Sequence, residues 1–189
     1  MKIKSIVAGI GLMAASSMAM AQGPSFSYVE GGYQLYTASG ASGGLFVDGS
    51  YRITDEIYAA AGYSMLDGTD WGQLTLRGGY ILPLADNMSA YAEGGIINSR
   101  LSHRPLGSWG PTYTHSDTGL LLGGGVRMAL TPEMEAHGGV RLTTDFSNDI
   151  HLIGGGTYEV IPNLSLIGNA IMSLDRTEFT LQFGVRFGL

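Results

Sequence analysis

Residues 179–189 read FTLQFGVRFGL. Phe179, Leu181, Phe183, Val185, Phe187 and Leu189 fall on one parity, and Thr180, Gln182, Gly184, Arg186 and Gly188 on the other. Side chains of an extended strand alternate between its faces, so this stretch is a strand with one large apolar face and one polar face carrying an arginine. Alternation alone does not say which face is buried. A soluble ligand-carrying barrel hides its apolar face, whereas a membrane barrel turns it to lipid.

The same period of two runs back through most of the sequence. It predicts ten strands, at about 25–37, 44–53, 56–66, 71–82, 88–98, 117–130, 134–143, 150–160, 164–174 and 177–189, with eight strands as the alternative. Two kinds of connection alternate. Thr54-Asp55, Pro83 to Asn87, Thr131-Pro132-Glu133 and Pro162-Asn163 are tight turns of Pro, Asp, Asn and Thr. Ser39 to Gly43, Asp67 to Asp70, Ser99 to Ser116, Thr144 to Asp149 and Asp175-Arg176 vary in length. Short turns on one rim and longer loops on the other are the plan of an all-β, closed antiparallel transmembrane barrel of up-and-down meander topology, with the short turns on the periplasmic side.

Parity assigns the faces. Leu45, Val47, Tyr51, Leu74, Leu76, Leu120, Leu122, Val140, Leu142 and Leu166 belong with the apolar face. Glu30, Asp48, Arg52, Arg77, Glu93, Arg127, Glu135, His137, Arg141, Glu159, Glu178 and Arg186 belong with the other, a nearly charge-balanced set. Arginine suits bidentate pairing with carboxylates away from water, and a solvated face would be expected to include lysine. Both lysines, Lys2 and Lys4, lie in the first few residues, so none remains beyond them. Lipid also forbids an open sheet edge, which requires the last strand to pair with the first. Tyr33, Tyr36, Tyr51, Tyr63, Tyr80, Tyr158, Phe179 and Phe187 fall toward strand ends, where interfacial aromatic girdles sit. The apolar face is therefore expected to point outward and the ionic face into the lumen.

Residues 1–21 carry a basic start, an apolar run from Ile6 to Met13 too short to span a bilayer as a helix, and small residues ending Ala19-Met20-Ala21. They are expected to be a secretory signal cleaved after Ala21, leaving residues 22–189 as one barrel domain. Loss of the two lysines takes the formal charge from −6 to −8. That excludes nucleic-acid binding through a basic patch. Cysteine is absent, so the fold has no disulfides to lean on. The paired glycines at 31–32, 78–79, 94–95 and 138–139 make room inside a small barrel; none belongs to a phosphate-binding loop.

With Val29-Glu30-Gly31-Gly32-Tyr33 opening the first strand and Leu130-Thr131-Pro132 forming a turn, the chain resembles the family of small outer-membrane barrels regulated by diffusible signal factor, relatives in architecture of OmpX and OmpA-type barrels. That resemblance implies a role in surface adaptation, biofilm or virulence-linked behaviour.

Three functions fit the residues. The first is a monomeric, non-enzymatic surface barrel with a structural, adhesive or environment-interaction role, its lumen plugged by the Arg/Glu network. Its loop residues Arg100, Arg104, Trp109, Tyr113 and Arg176 would meet lipopolysaccharide phosphates or a surface partner. Its final strand, Phe179 to Leu189, would be the signal read by the barrel-assembly machinery. The second is a narrow pore for ions or small solutes. The third is a lipid-modifying enzyme or protease built from Ser102, His103, His115, Ser116, Asp117, Asp145 or His151, which would need a nucleophile, base and orienting group at hydrogen-bonding range. No cofactor is expected, and His103 and His115 match no metal-ligand spacing.

Overall fold

The computed structural model describes residues 23–37, 42–67, 70–103, 113–146, 148–176 and 178–189. The expected leader, together with Arg104 and Trp109, lies outside them. Ten strands are present: β1 (Tyr28–Tyr36), β2 (Ser42–Arg52), β3 (Ile57–Leu66), β4 (Asp70–Ala85), β5 (Met88–His103), β6 (Tyr113–Ala129), β7 (Met134–Thr143), β8 (Asp149–Ile161), β9 (Leu164–Ser173) and β10 (Glu178–Gly188). Each pairs antiparallel with its sequence neighbours, and β1 pairs with β10 from Tyr28↔Gly188 to Tyr36↔Thr180, closing the barrel.

The tight turns are held by local hydrogen bonds. Thr54 Oγ1 accepts from the backbone N–H groups of Glu56 and Ile57 at 3.3 and 3.0 Å, and Thr131 Oγ1 does the same for Glu133 and Met134 at 3.3 and 3.1 Å. Asn163 adopts φ 66°, the left-handed conformation that Asn tolerates and a two-residue hairpin turn requires.

Several boundaries differ from those read off the sequence. Within the segment expected as a loop from Ser99 to Ser116, the described residues 99–103 and 113–116 are strand, because β5 and β6 stay paired up to His103↔Tyr113. Both faces are polar there, so alternation is lost while the backbone ladder continues. The turn expected over 83–87 shrinks to Asp86-Asn87, since β4 extends to Ala85 through a register irregularity at Pro83, a residue with no N–H for the ladder. The first strand, expected from about residue 25, begins at Tyr28; residues 23–27 precede it, with Phe26 buried inside the barrel.

The apolar face points outward. Leu120, Leu122, Phe183 and Leu166 are 61, 58, 54 and 52% exposed, whereas Arg127, Glu30 and Arg186 on the opposite parity are 6, 8 and 9% exposed. A continuous belt of Leu, Val, Ile and aromatic side chains around a closed sheet is matched by hydrocarbon and by no aqueous surface. The inner face is less uniformly polar than parity suggested: Phe46, Ile81, Ile97, Leu121 and Ile167 also point inward and are buried. Tyr36, expected in the interfacial girdle, points inward at the loop rim, where its hydroxyl donates to Glu178.

Candidate functional site

The lumen holds two ionic clusters. In the first, Glu93 of β5 is the hub. Its cross-strand neighbours are Gly79 and Gly123, so side chains from one strand further on can reach it. A Cβ on Gly123 would lie 3.2 Å from Glu93 Cγ, and one on Gly79 would collide with the Tyr58 ring. Across these gaps Glu93 accepts from Tyr58 Oη at 3.0 Å, from Arg77 at 3.4 Å and from Arg141 at 3.4 Å. Arg77 also pairs with Asp48, reaching over Gly62, whose Cβ would clash with the Asp48 carboxylate. In the second cluster Arg127 donates to Glu135 Oε1 through Nε at 2.8 Å and Nη2 at 2.5 Å. Arg186 binds Glu30 Oε2 through Nε and Nη2, both at 2.7 Å, and approaches Glu135 at 3.6 Å. Glu30 and Arg186 are direct partners across the β1–β10 seam. The Tyr28 ring lies 4.0 Å from the Arg186 guanidinium and 5.4 Å from that of Arg127.

Between these clusters and the loop rim runs an amide ladder: Asn169 donates to Gln182, Gln182 to Gln34 and Gln34 to the Met65 carbonyl, each at 3.3 Å. Nearer the mouth, Ser99 Oγ donates to Asp145 at 2.5 Å while accepting from Gln73 at 3.0 Å. Ser173 Oγ lies 2.8 and 2.9 Å from the two oxygens of Asp149, whose carboxylate is 3.8 Å from His151 Nε2 and 3.9 Å from Arg176 Nε.

A cavity of about 630 Å³ occupies the lumen. Its lining extends from Tyr36, Trp71, Phe146 and Glu178 at the loop rim to Phe26, Tyr58, Tyr91 and Arg127 toward the short turns. Phe26 is 2% exposed and packs with Tyr58, Ala60, Ile81 and Tyr91. The Arg127 guanidinium sits 4.7 Å over its ring.

Of the twelve polar residues assigned to the lumen, eight make these two clusters. Arg52 lies below them, its guanidinium 3.4 Å from the Pro24 carbonyl and 5.8 Å from the Phe26 ring. Glu178 belongs to the mouth, His137 stands beside Arg127 in the β6–β7 register, and Glu159 joins no ion pair among the described residues. Arg100 is exposed on the outer side of β5, and Arg176 follows β9; the fold does not bring them together. Tyr113 opens β6.

The raw material for catalysis does not assemble among the described residues. The His115 ring packs against Phe146 at 5.4 Å, Asp117 accepts from the Phe146 N–H, and Asp145 is taken by Ser99. Sequence reasoning missed Phe26, Tyr28, Tyr58 and Tyr91 as lumen residues. Tyr28 shares the parity of Glu30 and Gln34, and an aromatic ring on an ionic face is the signal that it packs on arginine.

Solved structures with the same architecture share little sequence with this chain. The KdgM porin in complex with disordered oligogalacturonate aligns over 86% of this chain and 99% of its own, at 8% identity and a TM-score of 0.52. The NanC porin covers 86 and 100% at 12% identity and 0.50. Ail, the attachment invasion locus protein of Yersinia pestis, in complex with the heparin analogue sucrose octasulfate, covers 85 and 97% at 12% identity and 0.50. No curated protein matches the sequence. Residues 5–187 match the outer membrane protein beta-barrel domain, and the chain belongs to that family.

Proposed function

We propose that the protein is a surface barrel of the bacterial outer membrane with a structural, adhesive or environment-interaction role, and that its lumen is sealed at rest by the arginine–carboxylate clusters and by Phe26. The observation that carries this reading is Phe26, 2% exposed, which lines the lumen cavity at its short-turn end and packs there with Tyr58, Ala60 and Ile81. Residues 1–21 are its cleaved leader, and its regulation follows that of the diffusible-signal-factor family it resembles. The protein acts as a monomer and without a cofactor. Arg100 and Arg176, with Arg104, Trp109 and Tyr113, meet lipopolysaccharide phosphates or a surface partner, and β10 presents the outward row Phe179, Leu181, Phe183, Val185, Phe187 and Leu189 to the assembly machinery.

A narrow pore is the second reading, favoured by the 630 Å³ cavity and by the barrel shared with KdgM and NanC. Those porins do not supply the solute. Here each arginine of the two clusters already faces a carboxylate, which leaves little positive potential for an acidic saccharide. Planar-bilayer recording of the refolded chain separates the readings. The sealed barrel gives no sustained stepwise current, and a persistent conductance refutes it. Replacing residues 104–112 by a short turn tests the surface role: cell attachment or lipopolysaccharide binding should fall with the barrel intact, and unchanged binding counts against it.

A further inference from the structure

We infer that residues 23–27 are a strap that gates the lumen, with Phe26 as its seal, so that the barrel is a conduit whose periplasmic end opens when this one segment withdraws. This rests on reading the lumen as sealed at rest.

Three observations carry it. First, the cavity reaches Phe26 and goes no further. Tyr58, Ala60 and Tyr91, which surround the ring, line the cavity, whereas Ile81, in the same cluster and close to the short-turn rim, does not. The ring is therefore the floor. Second, everything else that fills the lower lumen is tied into the wall. Glu30, Asp48, Arg77, Glu93, Arg127 and Arg186 all stand on paired strands and hold one another in buried ion pairs, so clearing any of them means breaking such a pair. The strap precedes β1, which begins at Tyr28, and its ladder-like backbone bond among the described residues is at its last residue, Ser27, to Leu189. Beyond the apolar packing of the Phe26 ring, its attachments are single hydrogen bonds: the Phe26 carbonyl accepts from Ser50 Oγ at 2.7 Å, the Pro24 carbonyl from Arg52 at 3.4 Å, and the Ser27 carbonyl from the Leu189 N–H at 3.1 Å, while Ser27 Oγ accepts from the Arg52 N–H at 3.0 Å. These bonds can be exchanged for water at a rim that water reaches, whereas strand pairs inside hydrocarbon cannot. Third, the socket is lined for release as well as for closure. Two guanidinium groups, of Arg127 at 4.7 Å and Arg52 at 5.8 Å, face the ring; when it leaves, Arg127 keeps Glu135, and Arg52, released from the Pro24 carbonyl, can take water in its place.

At the loop-rim end of the path that opens, the carboxylates Asp145, Asp149 and Glu178 outnumber the arginine that lines it there, Arg176. Its mouth is acidic, so the solute class is small cations rather than anions.

The test uses the refolded chain in planar bilayers with potassium chloride gradients, restricted to preparations whose heat-modifiable gel migration shows a folded barrel. Wild type should be nearly silent. Phe26→Ala should raise the open probability at least tenfold with cation-over-anion selectivity, and Phe26→Leu should restore most of the seal. Independently of conduction, Ile81→Cys in this cysteine-free chain should react with a charged maleimide at least tenfold faster when Phe26 is Ala than when it is Phe. A folded Phe26→Ala that is as silent as wild type, with Ile81→Cys equally protected, overturns the strap and leaves the resting seal to the ion pairs. A wild type that conducts steadily overturns the sealed-lumen reading itself.

Discussion

The seam between β1 and β10 should be sensitive to stranding one member of its buried Arg186–Glu30 pair. Arg186 and Glu30 are 9 and 8% exposed, are register partners, and make two contacts of 2.7 Å to one carboxylate oxygen. Arg186→Met leaves Glu30 charged and enclosed. Stranding one member of a buried pair costs about 3–5 kcal/mol. The cavity beside Glu30 admits water, which places the electrostatic loss at the lower end, and the lost guanidinium–ring contact with Tyr28 adds about 1 kcal/mol. The expected cost is about 3–4 kcal/mol. Adding Glu30→Met removes the orphaned charge and supplies two apolar stems, so the double variant should recover to within about 1 kcal/mol of wild type. Urea unfolding of the chain in lipid vesicles, followed by tryptophan fluorescence and by gel mobility, measures both differences, provided the slopes agree. If the double variant is as unstable as the single one, or the single one loses less than about 1 kcal/mol, the pair is not what holds the seam and the argument fails.

Other predictions follow from depth, shape and turn chemistry. Leu76→Arg, midway along the outward face of β4, should cost about 2–4 kcal/mol in the same unfolding experiment, and Leu84→Arg beside the turn about 0–1; equal costs would refute the outward orientation. Gly62→Val should displace Asp48 from Arg77 and cost about 2–4 kcal/mol, because its side chain would occupy the space through which the pair meets. A variant as stable as wild type would show that the pair has another route. Asn163→Gly should leave stability unchanged, whereas Asn163→Ile should lose about 1–2 kcal/mol for a β-branched residue at φ 66°; equal unfolding midpoints for the two would rule this out.

The wall of the barrel was legible in the sequence because one physical rule governs every strand. Lipid on one side and ion pairs on the other leave a parity signal at each residue, and Leu120, Leu122, Arg127 and Arg186 fall where that signal puts them. The content of the lumen was legible only as a set. Which carboxylate meets which arginine depends on the stagger between strands and on glycines that let a side chain cross its neighbour, as Gly62 and Gly123 do for Arg77 and Arg141. Neither is encoded locally. The strap was hidden for a different reason: Ser25-Phe26-Ser27-Tyr28 alternates polar and apolar just as a strand does, and alternation does not report whether the backbone is paired. The upper ends of β5 and β6 were missed from the opposite cause, since a ladder standing in water has no apolar face to display.

Those upper ends make the molecule lopsided. Pairing between β6 and β7 stops at Leu121↔Thr143, while β6 stays zipped to β5 as far as His103↔Tyr113, about 25 Å further along the strand. Among the described residues a three-stranded fin of β4, β5 and β6, with β4 paired to β5 as far as Asp70↔Ser102, stands on one side of the opening. Anything large arriving from outside, whether an antibody, a phage tail or a neighbouring sugar coat, touches the fin before it touches the hole. The barrel thereby acquires a front and a back, and its first contact with the outside world is made well away from its axis.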